Sequence, residues 1–215
     1  MYVPAHFEES RPEILRALIA AHPLGTLVTL GSTGLNANHL PFELAPAPAP
    51  FGTLRAHVAR ANPVWQDFSR EVDALVIFQG PQAYITPTWY ETKKESGKVV
   101  PTWNYCVVHA SGPLRIIDDP AWVRAMVERL TQRFEAHRAA PWNISDAPAD
   151  FIARQVAAIV GIEIPVGRLI GKWKVSQNRP PADREGVADG LLEETDADAV
   201  AMSELVRNQG RKPPA

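Results

Sequence analysis

The spacing of apolar and polar residues changes period several times along the chain, and each change marks an element. Ser10 followed by Glu13 has capping-box spacing, with Pro12 tolerated in a first helical turn. Ile14, Leu15, Leu18 and Ile19 then share one helical face, and Pro23 ends this short amphipathic helix. TLVTL (26–30) and LNANHLPFEL (35–44), joined by GSTG (31–34), predict a β-hairpin. TLRAHV (53–58) predicts a third strand. Asn62 and Pro63 read as an N-cap and first helical residue, opening a short helix through VWQDFS. ALVIFQ (74–79) is an apolar run of strand length; GPQ predicts a turn, and AYITP (83–87) follows.

The charged, glycine-containing stretch ETKKESGKVV (91–100) predicts a mobile loop. WNYCVVHASGPLRII (103–117) predicts a long strand, bent at Gly112-Pro113. Asp119 and Pro120 cap a second helix whose apolar face is Trp122, Val123, Met126, Val127, Leu130 and Phe134. A third helix is expected around 148–159, and IVGIEIPVGRLIGKWKV (159–175) returns as two strands. Seven or eight strands at hairpin-like spacing, with no alternation of strand and helix, predict an α+β fold: an antiparallel β-barrel with peripheral helices. APAPAP (45–50) and RPPAD (179–183) read as linkers or turns, because proline removes backbone donors. The chain thus divides into a barrel domain, 1–180, and an acidic, alanine-rich, partly helical tail, 181–215, suited to packing on a partner subunit.

Composition narrows the classes. A hydrophobic fraction of 46% in 215 residues supports a core. A formal net charge of −2 lacks the basic excess of a dedicated nucleic-acid-binding domain, so DNA contact would rest on local patches alone. Cys106 is the single cysteine, which excludes an intramolecular disulfide and cysteine-cluster zinc sites. MYVPAHFEESRPE has no secretory pattern and no stretch is apolar enough for a membrane span, so the cytoplasm is the expected location.

Most familiar chemistry fails on spacing. GRLIGKW has three residues between Gly167 and Gly171 and a tryptophan after Lys172, so it is not a phosphate-binding Walker loop, and no G-x-G-x-x-G occurs. The six histidines, including His39, His57 and His109 on predicted strands, lack any metal-binding spacing. Cys106 alternates with Val108 and Ala110, the pattern of a buried thiol rather than a nucleophile. No catalytic residue and no metal ligand is assigned. RAAPWNISDAP between the second and third helices is too long for a helix-turn-helix. LRAHVARANP (54–63) carries Arg60 beside a helix start at Asn62, a pairing that can hold a phosphate or can simply be an exposed arginine at a strand end. FQGPQAYITPTWY (78–90) and VPTWNY (100–105) gather aromatics and amides that suit a flat heteroaromatic ligand or a subunit interface.

The ordered series HLPF (39–42), LRAHVARANP (54–63), IFQGPQAYITPTWY (77–90), VPTWNY (100–105), PW (141–142) and GKWKVSQNR (171–179) resembles the PaiB-type FMN-binding negative transcriptional regulators. The resemblance runs to about residue 187; the acidic tail and the APAPAP loop read as peculiar to this chain. It implies an antiparallel FMN-binding split barrel, pyridoxamine-phosphate-oxidase-like, working as a homodimer with flavin at the subunit interface. It further implies Arg60 and Asn62 at the phosphate, and Asn38, His39 and Leu40 along the ring edge. Thr86, Trp103 and Asn104 would come from facing strands, and Lys174 or Gln177 would reach phosphate, ribityl chain or ring. The resemblance also implies that many relatives of the wider fold carry a second basic residue where Ala61 stands, a charge that Lys174 or another subunit could supply.

The function this implies is negative transcriptional regulation tuned by FMN. The alternative is an FMN-dependent oxidoreductase passing electrons between NAD(P)H and a small acceptor, in which the cofactor performs the chemistry. A haem-binding member of the same barrel group, with a histidine such as His109 as axial ligand, is the third class.

Overall fold

The structure is a computed structural model describing residues 1–48 and 50–208; Ala49 of the APAPAP segment and residues 209–215 of the predicted tail lie outside it. In chain order the elements are β1 (Glu8–Glu9), α1 (Pro12–Ala21), β2 (Leu24–Gly31), β3 (Gly34–Pro41), β4 (Glu43–Ala45) and β5 (Thr53–Ala59). There follow β6 (Ala74–Ile85), α2 (Thr92–Ser96), β7 (Thr102–Gly112), β8 (Arg115–Ile117), α3 (Pro120–Glu135) and α4 (Ala149–Ala157). The chain closes with β9 (Ile159–Pro165), β10 (Arg168–Lys174), α5 (Pro181–Glu193) and α6 (Ala197–Arg207). These residues gather into two compact units, each drawn from separated stretches. The first comprises Met1–Leu18, Gln79–Val108 and Ile170–Ala215, the second Ile19–Phe78 and His109–Leu169. The helices after residue 180 therefore belong to the first unit.

In the second unit the strands form two antiparallel groups, β6-β2-β3 and β4-β5-β9-β8. The period-two pattern of β5 and β9 explains their union: Leu54 faces Ile164, Ala56 faces Ile162 and Val58 faces Val160. All six are at most 2% exposed. Burying each larger aliphatic side chain contributes on the order of 1.5–3 kcal/mol, which fixes the register, because a one-residue slip would expose all of them. The hairpin forms as its turn residues predict, with Thr26 opposite His39. Phe42 and Phe78, both fully buried, meet edge to face at 5.7 Å. Helix α3 starts as expected, the Asp119 carboxylate accepting the Ala121 N–H at 2.9 Å. It buries Val123, Met126 and Leu130, but Phe134 is 41% exposed: the helix ends one residue later and its last turn overhangs.

In the first unit the order is β1-β10-β7-β6. Strand β6 runs unbroken through Gly80-Pro81-Gln82, where the sequence predicts a turn. Gly80 serves close packing there: a Cβ would lie 2.8 Å from Leu18 Cδ1. Pro81 is tolerated because β2 pairs with β6 only at Leu75, Val76 and Ile77, so no partner on that flank requires its missing N–H. Helix α1 begins where predicted, but Glu9 rather than Ser10 organises its start, accepting the Arg11 backbone N–H and guanidinium, both at 2.9 Å. Cys106 is 2% exposed, and burial with the nearby Glu9 charge pushes its thiol up to about 12.

Two further expectations are corrected. The stretch 91–100 is not wholly loop but contains α2, and 179–183 is not a linker, because Pro181 opens α5. Proline suits a first helical position, and the glycines that make α5 look weakly helical have a packing role. Gly186 and Gly190, one turn apart, press against Trp89: Cβ atoms would lie 2.1 Å from its carbonyl oxygen and 2.3 Å from its indole. Ser203 of α6 donates to the Ala188 carbonyl at 2.7 Å, tying the helices together.

Replacing Gly186 with alanine tests this contact. In an open helix that change gains about 1 kcal/mol. Here the rigid Trp89 carbonyl should reverse the sign, costing about 1–3 kcal/mol of stability in urea unfolding monitored by circular dichroism.

Candidate functional site

The expected site residues fall in both units. In the second, β5 ends at Ala59 and delivers Arg60 into a closed arrangement. Its Nε donates to the Ala157 carbonyl at 2.8 Å, Nη1 to Asp118 at 3.0 Å, and Nη2 to Asp118 at 2.6 Å and to the Ile159 carbonyl at 3.3 Å. The hydrogen-bonded pair holds the Asp118 carboxyl below its ordinary range and raises Arg60. Most of the guanidinium's donors are thus engaged, and a phosphate at Arg60 would have to replace Asp118.

Asn62 caps the Pro63–Trp65 turn as predicted, its Oδ1 accepting the Val64 N–H at 3.0 Å, while its Nδ2 donates to Asn38 Oδ1 at 2.7 Å. Asn38 in turn donates to Asn36 at 2.9 Å. His39 is exposed, and Leu40 packs on the cluster of Val58, Val64 and Val160. The structure therefore joins Asn38 to Asn62 and sets Leu40 beneath them, with Arg60 bound elsewhere. Burial favours the neutral form of His57 and of His109, and no three His, Cys, Asp or Glu side chains among the described residues are grouped as metal ligands.

In the first unit Lys174 is the last residue of β10, one residue before the predicted strand end at Val175. Ser176 turns the chain with φ 63°, a left-handed conformation that costs a non-glycine residue about 1 kcal/mol or more. The turn brings Ser176 Oγ to accept from Asn104 Nδ2 at 2.9 Å, and both residues are buried. Gln177 folds back on its own turn: Oε1 accepts the Val175 N–H at 2.8 Å and Nε2 donates to the Trp173 carbonyl at 2.5 Å. Thr86 caps the Pro87–Trp89 turn, accepting from the Thr88 N–H at 3.3 Å.

Lys174 differs from these internally satisfied groups. Its ammonium donates to the Thr102 hydroxyl and, at 2.8 Å, to the Trp103 carbonyl, both neutral acceptors. Burial, then the charges of Lys172 and Arg179, lower its pKa. Those neighbours also face uncharged partners, Lys172 lying 5.3 Å from the Tyr105 ring and Arg179 4.6 Å from the Tyr90 ring. Such a cluster favours an anion, which would relieve the mutual repulsion. Trp103, whose carbonyl Lys174 holds, is 48% exposed and lies edge to face with the half-exposed Tyr84 at 6.1 Å. Its indole N–H donates to Gln82 at 3.2 Å. The two rings border a cleft of about 400 Å³ also lined by Leu191 and by the carboxylates Glu194, Asp196 and Asp198, and Lys174 lies outside that lining. Lys174 has donor capacity to offer an anion, and Trp103 and Tyr84 offer exposed faces to a flat ligand.

Asp118, Thr102 and Ser176 were not among the expected site residues. Asp118 reads only as the neighbour of a helix cap, and nothing local links it to Arg60. Ser176 carries no glycine-like signal of a left-handed turn.

The fold is that of the split-barrel class. The flavocytochrome Anf3 of Azotobacter vinelandii has the same fold, with a TM-score of 0.58 at 11% identity over 80% of this chain and 72% of that one. Residues 1–168 match the model of the family described as "Putative FMN-binding domain", and the chain belongs to that family. Protease synthase and sporulation protein PAI 2 of Bacillus subtilis is 30% identical over 212 residues, 99% of each chain, which makes this a PaiB-like member. An uncharacterized protein of Emericella nidulans is 34% identical over 246 residues, 98% of each chain. Because these alignments span nearly the whole chain, the segment after residue 187 is not peculiar to it.

The buried Asn104–Ser176 pair gives a stability test. Ser176→Ala keeps the left-handed backbone and strands the Asn104 amide, an expected loss of about 1–3 kcal/mol in urea unfolding. Ser176→Gly loses the same bond but relaxes the backbone, and should be the milder of the two.

Proposed function

We propose that this chain binds FMN and acts as a PaiB-type negative transcriptional regulator, a cytoplasmic homodimer holding flavin at the subunit interface. Lys174 carries the flavin reading: it is a partly buried cation with neutral partners, flanked by two further cations and adjoining an exposed tryptophan. Lys174 would meet the phosphate, and Trp103 with Tyr84 would offer ring faces to the isoalloxazine. Thr86, in the same unit, remains the candidate for the ring edge. When bound, FMN supplies a redox-active ring; the residues here bind and orient it. The regulatory part rests on the near full-length similarity to the Bacillus subtilis protein. With a net charge of −2 the chain offers no general attraction for DNA, so flavin-dependent contact with a partner or with a short DNA segment is the expected mode.

Titration of the apo protein with FMN, followed by quenching of flavin fluorescence, tests the site. Lys174→Met should weaken binding about tenfold or more, the size of one lost charge-assisted hydrogen bond. Arg60→Met should act chiefly on folding stability. Absence of FMN binding by the unaltered protein overturns the proposal. Light scattering checks the dimer, and gel mobility shift at low salt with and without FMN checks repression. Rapid bleaching of bound flavin by NADPH without oxygen, with no shift on DNA, would turn the reading to an oxidoreductase.

A further inference from the structure

We propose that Asp183 is a positioning residue that, through Thr92, holds the segment 86–96 in the conformation the flavin site requires. Asp183 lies in the first turn of α5 and is fully buried. One carboxylate oxygen accepts the Thr92 backbone N–H at 2.9 Å and the other accepts the Thr92 hydroxyl at 2.8 Å. Beyond Tyr90 this segment has little else to hold it. Helix α2 is five residues long and none of them is buried, far below the length at which a helix sustains itself.

The same C-terminal helix and the turn before it hold the two residues just upstream. Trp89 fills the notches left by Gly186 and Gly190, and the Arg179 guanidinium lies over the buried Tyr90 ring. Trp89, Tyr90 and Thr92 are thus fastened by packing, by a cation on a ring, and by a carboxylate. Of the three, only the carboxylate acts within α2. The fastened segment begins at Thr86, and Leu191 and Ala199 of the same helical pair border the cleft of Tyr84 and Trp103. The C-terminal helices therefore serve as the jig in which this side of the site is set. The link to the cofactor rests on the flavin reading above; the fastening itself does not.

Limited trypsin digestion of the full-length apo protein separates the two. Asp183→Ala should speed cleavage after Lys93, Lys94 and Lys98 by about tenfold, as loss of hydrogen bonds to a charged acceptor would. Cleavage after Arg124 in α3 should not change. Thr92→Val, which removes only the hydroxyl, is the gentler second variant if Asp183→Ala does not fold, and it should show a smaller increase at the same three lysines. Asp183→Asn, which keeps an acceptor for the Thr92 N–H, should fall between the unaltered protein and Asp183→Ala. FMN affinity should decline in the same rank order, and an altered visible spectrum of bound flavin would mark a misplaced ring environment. Unchanged cleavage in folded variants, or cleavage rising equally at Arg124, overturns the fastening role. Accelerated cleavage with unchanged FMN affinity overturns the positioning role. If the unaltered protein binds no flavin, the function proposed above fails while the digestion result still decides the fastening.

Discussion

The second unit depends on one side chain, Arg60. Its guanidinium ties the end of β5 to Ala157 at the end of α4, to Ile159 at the start of β9 and to Asp118 just before α3. Its own carbonyl accepts the Trp65 indole N–H at 2.9 Å, and its N–H donates to the Ala158 carbonyl at 2.8 Å. Two segments distant in sequence, 157–159 and Asp118, thus converge on one planar fork at the end of β5, a task for which arginine's fixed donor geometry is suited and lysine's point charge is not. A surface ion pair is ordinarily worth little, but here the pair is part of a network that also satisfies the carbonyls at a helix end.

That network changes how the site is read. Arginine beside a helix start suggests anion binding only while its donors are free. The polar residues of the first unit tell the same story: Gln177 secures its own turn and Asn104 secures Ser176. Among the expected site residues, Lys174 keeps spare donor capacity and Trp103 keeps an exposed ring face. A site built this way holds its ligand-facing groups on an already satisfied polar frame, which limits the reorganisation that binding would need.

Much of the fold was legible because it is locally encoded. The Asp119-Pro120 and Asn62-Pro63 caps, the β2–β3 hairpin and the inward face of α3 follow from neighbours a few residues apart. The errors arose where distant packing overruled local rules. Gly80-Pro81 is a turn signal, yet Leu18 demands a glycine there, and the residue beyond β2's reach tolerates proline. Pro181 marks a linker or turn on paper, yet it opens α5, whose Gly186 and Gly190 admit Trp89. For the site, the Asn38–Asn62 contact joins two residues both expected on the resemblance, whereas the Arg60–Asp118 pair is invisible until the chain is folded.

The lone thiol of Cys106 makes the molecule its own reporter. It sits in β7, a strand that contributes residues to both units, and it is nearly inaccessible with its ionisation displaced far into the alkaline range. A thiol reagent can react only after that strand has been exposed to water, because the thiolate is the nucleophile. Since the chain has no other cysteine, labelling proceeds as a single event whose rate counts openings of β7. The sequence thus carries an intrinsic clock for the breathing of β7, readable without adding any probe to the chain.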